Sequence, residues 1–588
     1  MLSSLEQTSK YVRSIVFSFL RVKDITALLF VNKRLRNFAL EFFAEYKEIK
    51  IKEYDLLRLS HLLDLRRVLS YFPKIATLRI NAYNLSVDNF ESLPRTLVKL
   101  ALLNCKESLL LQRRLYENIQ NRVGATLKDL RIEYHDSDST EPVQAPPKDF
   151  LLCLEDFAKN MKVLKKLDFK IVFKGWHPYD MHTLNNIVFY CFHQNSESLT
   201  SVHFNYLIVH PFVPKPNKNI KSIKIEASEG YFFDDNNAPV IFGLNNSTII
   251  FLANQFRDLE EISVTDHTNY KKALSDSVMN SLVGRHPNIR CLCLNSYSYK
   301  LDMNETSILQ TITALPSLEK FGLASCKNLC LSSMFSLSLS LHNVKYLTLD
   351  FTDVDDNDLQ IITELLEQLE FISTKCCYQI TEEGFIHLCQ HLFKLKAGNF
   401  KYVKSFTSVC LENLLFYSPN LQKIKLGNNT LTNEDINHLF TKGSRLKEIT
   451  LSSMNGSDQF SQECFSHLNC SHITLWRLKA LDLSNNHLLK DISIFHLLQL
   501  ELPSLSYLSL EGCIKLTKKA FEYIGHSKIA QNLFGLNFYI KEVVIDKDLF
   551  SEVKKKMKRL AYLFLYNCST HRSLKYIYED IDITLLEQ

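Results

Sequence analysis

Glycine and proline are both scarce in this chain, 14 of each in 588 residues, where ordinary proteins carry about 7% and 5%. Hairpin-rich β assemblies, collagen-like fibres and disordered linkers all draw heavily on these residues and are excluded. Charge of one sign is lacking too. The 69 basic and 64 acidic residues leave a net charge of +5, so no bulk polycationic character drives nucleic-acid or membrane binding. No apolar run reaches the roughly 18 residues that span a bilayer. The stretch from Ile15 to Leu20 is short and hemmed by Arg13, Arg21 and Lys23, unlike a secretory leader. Cysteine is plentiful, with 15 copies scattered singly, which favours a reducing compartment. With 46% hydrophobic residues, a folded, soluble, cytoplasmic or nuclear protein is expected.

What the chain has instead is a period, the first thing to test in a long sequence. The unit Leu-x-x-Leu-x-Leu-x-x-Cys/Asn recurs. Clear copies are Leu421, Ile424 and Leu426 with Asn429; Leu478, Leu481 and Leu483 with Asn486; and Leu505, Leu508 and Leu510 with Cys513. Leu318, Phe321 and Leu323 with Cys326, and Leu560, Leu563 and Leu565 with Cys568, are two more. Weaker copies begin at Ile75, Leu97, Leu127, Leu164, Leu199, Ile220, Leu259, Ile289, Val344, Leu369, Leu392, Leu446 and Leu533. From Ile289 onward the starts fall 23 to 32 residues apart. The alternating apolar residues predict a short parallel strand with one buried face. The Asn or Cys sits where the chain leaves that strand, and there it satisfies backbone groups or fills a small buried space. Helical spacing follows, as in Phe385, Leu388 and Leu392. One strand plus one helix cannot bury its own apolar faces, so the units must stack.

This pattern resembles the leucine-rich-repeat family in its cysteine-containing subtype, on the strings Cys377-Tyr-Gln-Ile380-Thr381-Glu-Glu-Gly384 and Cys513-Ile-Lys-Leu516-Thr517 with Ala520-Phe521. The resemblance implies an α/β solenoid, a horseshoe with parallel strands inside and helices outside. It divides the chain into irregular repeats over 51–288, regular ones over 289–568 and a C-terminal tail over 569–588. The segment from Glu133 to Lys148, with Asp136, Asp138, Glu141, Pro142, Pro146 and Pro147, is read as an exposed acidic loop.

Residues 1–50 do not carry the repeat. Val12, Ile15, Val16, Phe19 and Leu20 form one helical stripe, Ile25, Leu28 and Val31 a second, and Leu35, Phe38 and Phe42 a third. Three such helices make a core that is marginal unless docked. The string from Ser18 through Phe19-Leu20, Lys23-Asp24-Ile25, Leu28 and Val31 to Lys33-Arg34-Leu35-Arg36 resembles the F-box. Thr8-Ser9 stands where the family usually has Leu-Pro, and Leu35 where it often has Trp. An F-box ahead of cysteine-containing repeats is the arrangement of F-box/leucine-rich-repeat proteins. That resemblance implies docking of Val12, Ile15, Val16, Phe19, Leu20, Ile25, Leu28, Val31 and Leu35 on the Skp linker of a cullin ubiquitin ligase. Between Lys10 and Lys50 nine basic residues face four acidic ones, which suits an acidic partner by steering. The other reading of these helices is a cap on the first repeat, which terminal repeats need anyway.

Enzyme signatures are absent from the sequence: no phosphate loop, no Gly-x-Gly-x-x-Gly, no Gly-x-Ser-x-Gly and no His-Glu-x-x-His occurs. His387, Cys389 and His391 sit on a repeat helix without a fourth ligand, and Cys291-x-Cys293 and Cys376-Cys377 lack a paired second half. No cofactor or metal is expected, and the chain reads as a non-catalytic adaptor. Its recognition surface is expected on the strand residues between the apolar ones: Lys375, Lys394, Lys396, Lys423 and Lys425 as a basic stripe, then Tyr507, Tyr539, Tyr562, Phe564 and Tyr566, with Asp482 and Glu511 nearby. Such a surface suits a protein substrate with an acidic or phosphorylated segment and an apolar anchor. The alternative function is a repeat scaffold or inhibitor without a ligase role.

Overall fold

The computed structural model describes residues 341–454 and 475–540 without interruption, 74–135 and 258–326 with short breaks, and smaller pieces elsewhere between residues 37 and 587. Of the three-helix module expected over residues 1–50, the apolar stripes from Val12 to Phe42 lie outside the described residues, and its last residues, from Glu48, instead begin a strand, Glu48–Ile51, of the repeat sheet. The acidic segment expected as a loop from Glu133 starts later, because Glu133–His135 end the strand Asp129–His135; residues 136–148 lie outside the described residues. The chain forms two compact units. Unit 1 holds residues 1–137, 142–242 and 254–258, and unit 2 holds residues 138–141, 243–253 and 259–588.

Unit 1 stacks seven parallel strands in chain order: β1 (Glu48–Ile51), β2 (Thr77–Asn81), β3 (Lys99–Leu103), β4 (Asp129–His135), β5 (Lys166–Val172), β6 (Ser201–Phe204) and β7 (Ser222–Ala227). Helix α1 (Arg113–Val123) crosses between β3 and β4 and buries Leu115, Tyr116, Ile119 and Val123 on one face. A separate antiparallel pair, β8 (Phe232–Phe233) and β9 (Pro239–Val240), follows.

Unit 2 continues the pattern more regularly. Its strands are β10 (Glu261–Asp266), β11 (Cys291–Ser296), β12 (Lys320–Gly322), β13 (Tyr346–Thr348), β14 (Phe371–Ser373) and β15 (Ala397–Asn399), followed by β16 (Lys423–Leu426), β17 (Glu448–Leu451), β18 (Ala480–Asp482), β19 (Tyr507–Leu510), β20 (Gly535–Ile540) and β21 (Tyr562–Asn567). Each pairs in parallel with the next. Parallel neighbours need a long crossover. Helices supply it: α2 (Asp276–Leu282), α3 (Glu305–Thr313), α4 (Asp356–Leu365), α5 (Glu382–His391), α6 (Ser408–Tyr417), α7 (Asn433–Lys442), α8 (Asp491–Gln499) and α9 (Lys518–His526). The segment read from sequence as a tail adds two antiparallel strands, β22 (Arg572–Tyr576) and β23 (Thr584–Glu587), to β21.

The pairing register places the expected apolar residues opposite one another in every repeat but one. At the repeat assigned to Leu392, Gly398 pairs with Ile372 and Ile424, so the unit starts at Leu395, 26 residues after Leu369 and 26 before Leu421. Gly398 stands where a leucine was sought. A Cβ there would come within 2.5 Å of the Phe400 ring, which lies beneath the strand, stacked 4.6 Å from Phe406 and edge-on to Phe385. One aromatic ring thus takes the space of two aliphatic side chains.

The exit from each strand is built alike. Ser325, Phe351, Cys376, Tyr402, Asn428, Ser453, Asn485 and Gly512 occupy the same position on successive rungs, and all have positive φ, from 53° to 68°. On several rungs the next residue closes the turn from inside, while Val403 and Met454 stand at that position on two others. Asn429 Nδ2 donates to the Phe400 and Val403 carbonyls at 2.8 and 2.7 Å while its Oδ1 accepts from Gly427 N at 2.6 Å. Asn486 does the same for Leu451, Leu483 and Met454. Where a cysteine replaces it, Cys377 Sγ donates to the Leu349 carbonyl at 2.9 Å and Cys513 Sγ to Leu483 at 3.1 Å. The Asn/Cys position of the pattern therefore has a mechanical cause: at Cys377, Asn429, Asn486 and Cys513 a buried donor takes up a carbonyl of the rung before it.

Candidate functional site: the strand face of unit 2

The apolar face of each strand points at the helices, and the alternate residues form an outer face, as the exposed–buried–exposed–buried order of Lys423, Ile424, Lys425 and Leu426 shows. Aligned through the register, this face carries columns running across the rungs. One column reads Asp350, Lys375, Lys401, Gly427, Ser452, Ser484, Glu511; its neighbour reads Ser373, Asn399, Lys425, Thr450, Asp482, Ser509.

Lys375 is held by rings. Its Nζ lies 5.0 Å from the Phe351 centroid, 5.5 Å from Tyr402 and 5.9 Å from Tyr297, within the range of cation–π attraction. Phe351 and Tyr402 belong to the left-handed column, so the backbone conformation of the turn is what presents them beside Lys375. Beneath lies Asp350, a buried carboxylate that accepts from Ser373 Oγ and from Lys375 N. Burial raises its pKa, against the opposing pull of those two donors. Lys401 Nζ sits 5.4 Å from the Tyr402 ring, and its stem crosses Gly427, where a Cβ would meet Lys401 Cε at 3.2 Å. Desolvation lowers the Lys401 pKa, and Lys375 and Lys425 add to that shift while Tyr402 and Asp482 oppose it. Lys375, Lys401 and Lys425 form no ion pair among the described residues.

The face changes sign two rungs on. Asp482 and Glu511 have no ion pair among the described residues either. Burial raises the Glu511 pKa, and Asp482 raises it further. Tyr507 is half-buried beside them, its hydroxyl accepting from Asn537 Nδ2 at 3.0 Å, and desolvation raises its pKa as well.

The five-lysine stripe expected from sequence is thus redistributed. Lys394 and Lys396 precede β15 and do not belong to the outer columns. Lys394 donates to Gln368 Oε1 at 2.7 Å and Lys396 pairs with Glu370 at 2.7 Å. The cause is the register at Leu395, which moves both lysines into the turn before the strand. Lys423 is on the face but is neutralised by Glu448 at 2.8 Å. Lys375 and Lys425 remain, and Lys401, with Tyr297, Phe351, Tyr402 and Asp350, joins them. Tyr539 lies on β20 and Tyr562, Phe564 and Tyr566 on β21, in paired register. The residues from Val12 to Leu35 expected to dock the Skp linker lie outside the described residues.

Other sequence candidates are absorbed by structure. His387 Nε2 meets Thr363 Oγ1 at 3.0 Å and His391 Nδ1 meets the His387 carbonyl at 2.7 Å. Cys389 is buried. Cys291 and Cys293 share a strand face with their sulfurs 3.9 Å apart. No grouping of three metal-ligating side chains occurs among the described residues, and no described helix is long and apolar enough to cross a membrane. On unit 1 the strand face holds an open cavity of about 400 Å³. There His203 lies between Asp168 (3.2 Å) and Glu226 (3.3 Å), and Arg131 reaches Asp168 at 3.4 Å. Arg79, Lys99, Lys166 and Lys224 also line it, so basic side chains outnumber the carboxylates of Asp129 and Asp168.

No family model and no curated protein matches this chain. Among solved structures it is similar to a chain of the yeast Rad7–Elc1 complex, at 16% identity over 65% of this chain and 85% of that one, with a TM-score of 0.39. It is similar also to a chain of the TLR13–ssRNA13 complex, at 14% identity, covering 85% of this chain and 64% of that one, with a TM-score of 0.36. The repeat architecture rests on the strand register and turn geometry rather than on these two similarities.

Proposed function

We propose that the protein is a non-catalytic adaptor: its N-terminal helices dock on the Skp linker of a cullin-type ubiquitin ligase, and the strand face of unit 2 holds a target protein. The N-terminal half of this reading comes from the F-box resemblance of residues 18–36. The observation that supports the other half is the set of charged side chains, Lys375, Lys401, Lys425, Asp482 and Glu511, left without ion pairs on the rungs of β14–β19 among the described residues. The adaptor supplies proximity, placing a target beside a transfer enzyme, and catalysis belongs to that enzyme. Cytoplasm or nucleus, where such ligases work, is the compartment it would occupy.

Co-expression with the Skp linker and affinity purification test the ligase half. The wild-type chain is expected to retain the linker and Leu20→Asp/Leu28→Asp to lose it. Absence of a wild-type complex, or a complex that the double substitution leaves intact, rejects the adaptor role and leaves a repeat scaffold.

A further inference from the structure

The outer face of unit 2 is bipolar. Three cations without ion pairs occupy three adjacent rungs, β14 to β16, and two anions without ion pairs occupy β18 and β19. The rung between them offers neutral Thr450 and Ser452 in the same columns. Parallel strands lie about 4.8 Å apart, so the centres of the two patches are separated by roughly 17 Å, the span of about five extended residues at about 3.4 Å each. The cations are also preorganised. Lys375 is fixed by three rings and Lys401 by Tyr402 and the Gly427 backbone, which reduces the side-chain entropy lost on binding.

We propose that this face binds an extended, charge-segregated segment of a partner protein. Its anionic group, carboxylate or phosphate, sits over Lys375, Lys401 and Lys425, and a basic side chain about five residues away sits over Asp482 and Glu511. The assignment rests on the reading of this face as a target-binding surface and specifies what it selects. An all-acidic segment would meet Asp482 and Glu511 unfavourably, and an all-basic one would meet the lysines. The face thus rejects simple polyions as well as accepting the matched pattern.

Fluorescence anisotropy with the full chain and labelled synthetic peptides tests this. The reference peptide carries two glutamates, four glycine or serine residues and two lysines. A second has phosphoserines for the glutamates, a third has serines for the lysines, and a fourth has the reference composition with alternating charges. Wild type is expected to prefer the first or second over the third and fourth, and the stronger of the first two identifies the anion's source. Lys375→Met/Lys401→Met/Lys425→Met should weaken the first two by roughly tenfold. Asp482→Asn/Glu511→Gln should weaken the same two and spare the third. Lys396→Met, which removes a lysine outside the columns, should change nothing. Wild type that binds neither of the first two peptides, shows no preference over the alternating one, or is matched within twofold by the triple variant overturns the proposal. Thermal melts show that each variant is folded. Retention of the Skp linker by the triple variant separates this surface from the ligase role: loss of linker binding by wild type would sink the adaptor reading and leave the peptide result standing.

Discussion

At the scale of single residues, the buried asparagines and cysteines do the most work for their size. Asn429 is 3% exposed and joins three backbone groups from two rungs. Asn429→Leu keeps the volume but leaves two carbonyls and an N–H buried without these partners. That should cost about 2–4 kcal/mol, measured as a lowered urea midpoint by far-UV circular dichroism; an unchanged midpoint would show that the side chain only fills space. This role was legible in sequence because the Asn or Cys falls at a fixed distance from the leucines. The left-handed position one residue earlier was not. It is filled by Ser, Phe, Cys, Tyr, Asn and Gly in turn, and only the glycine and the asparagines belong to types that favour positive φ. The site residues Phe351 and Tyr402 were hidden for that reason. Lys401 was hidden by Gly398, since a glycine in the leucine position shifts the apparent repeat by three residues and moves the wrong lysines onto the face.

At the scale of elements, the helices are tied to one another through their first turns. Asp356, the first residue of α4, accepts from Thr381 N at 2.8 Å and Thr381 Oγ1 at 2.6 Å, and Thr381 is the N-cap of α5. Asp491 at the start of α8 grips Thr517, the N-cap of α9, with the same two distances. Each carboxylate thus serves the positive end of its own helix and fixes the start of the next. Asp491→Ala should cost about 1 kcal/mol and Asp491→Asn about half of that, read from thermal unfolding; equal stability of all three would mean that the helices are placed by apolar packing alone. Strand and helix positions were visible in the sequence through apolar periodicity. The clasp was not, because it joins residues 25 or 26 apart through exposed polar side chains that no periodicity marks.

At the scale of the whole molecule, a local change in unit 2 travels only as far as the coupling between its rungs carries it. Each strand bonds only to its two neighbours; at the entry to β18, Lys479 N donates to the Lys447 carbonyl and the Lys479 carbonyl accepts from Ser506 N. Stability is then close to a sum of rung terms and nearest-neighbour terms. Leu481, fully buried on β18, gives the test. Leu481→Ala removes about 2–5 kcal/mol of packing. If coupling is short-ranged, hydrogen exchange should speed in β17 to β19 and change much less in β12 and β13. The same variant should then weaken the acidic half of the binding face and leave the Lys375–Lys401 half folded. Uniform loss of protection across β11 to β20 would instead mean that unit 2 opens as a single block. In that case the two charged patches could not be altered independently, because any loosening at β18 would release the lysine cage at β14 and β15 along with it.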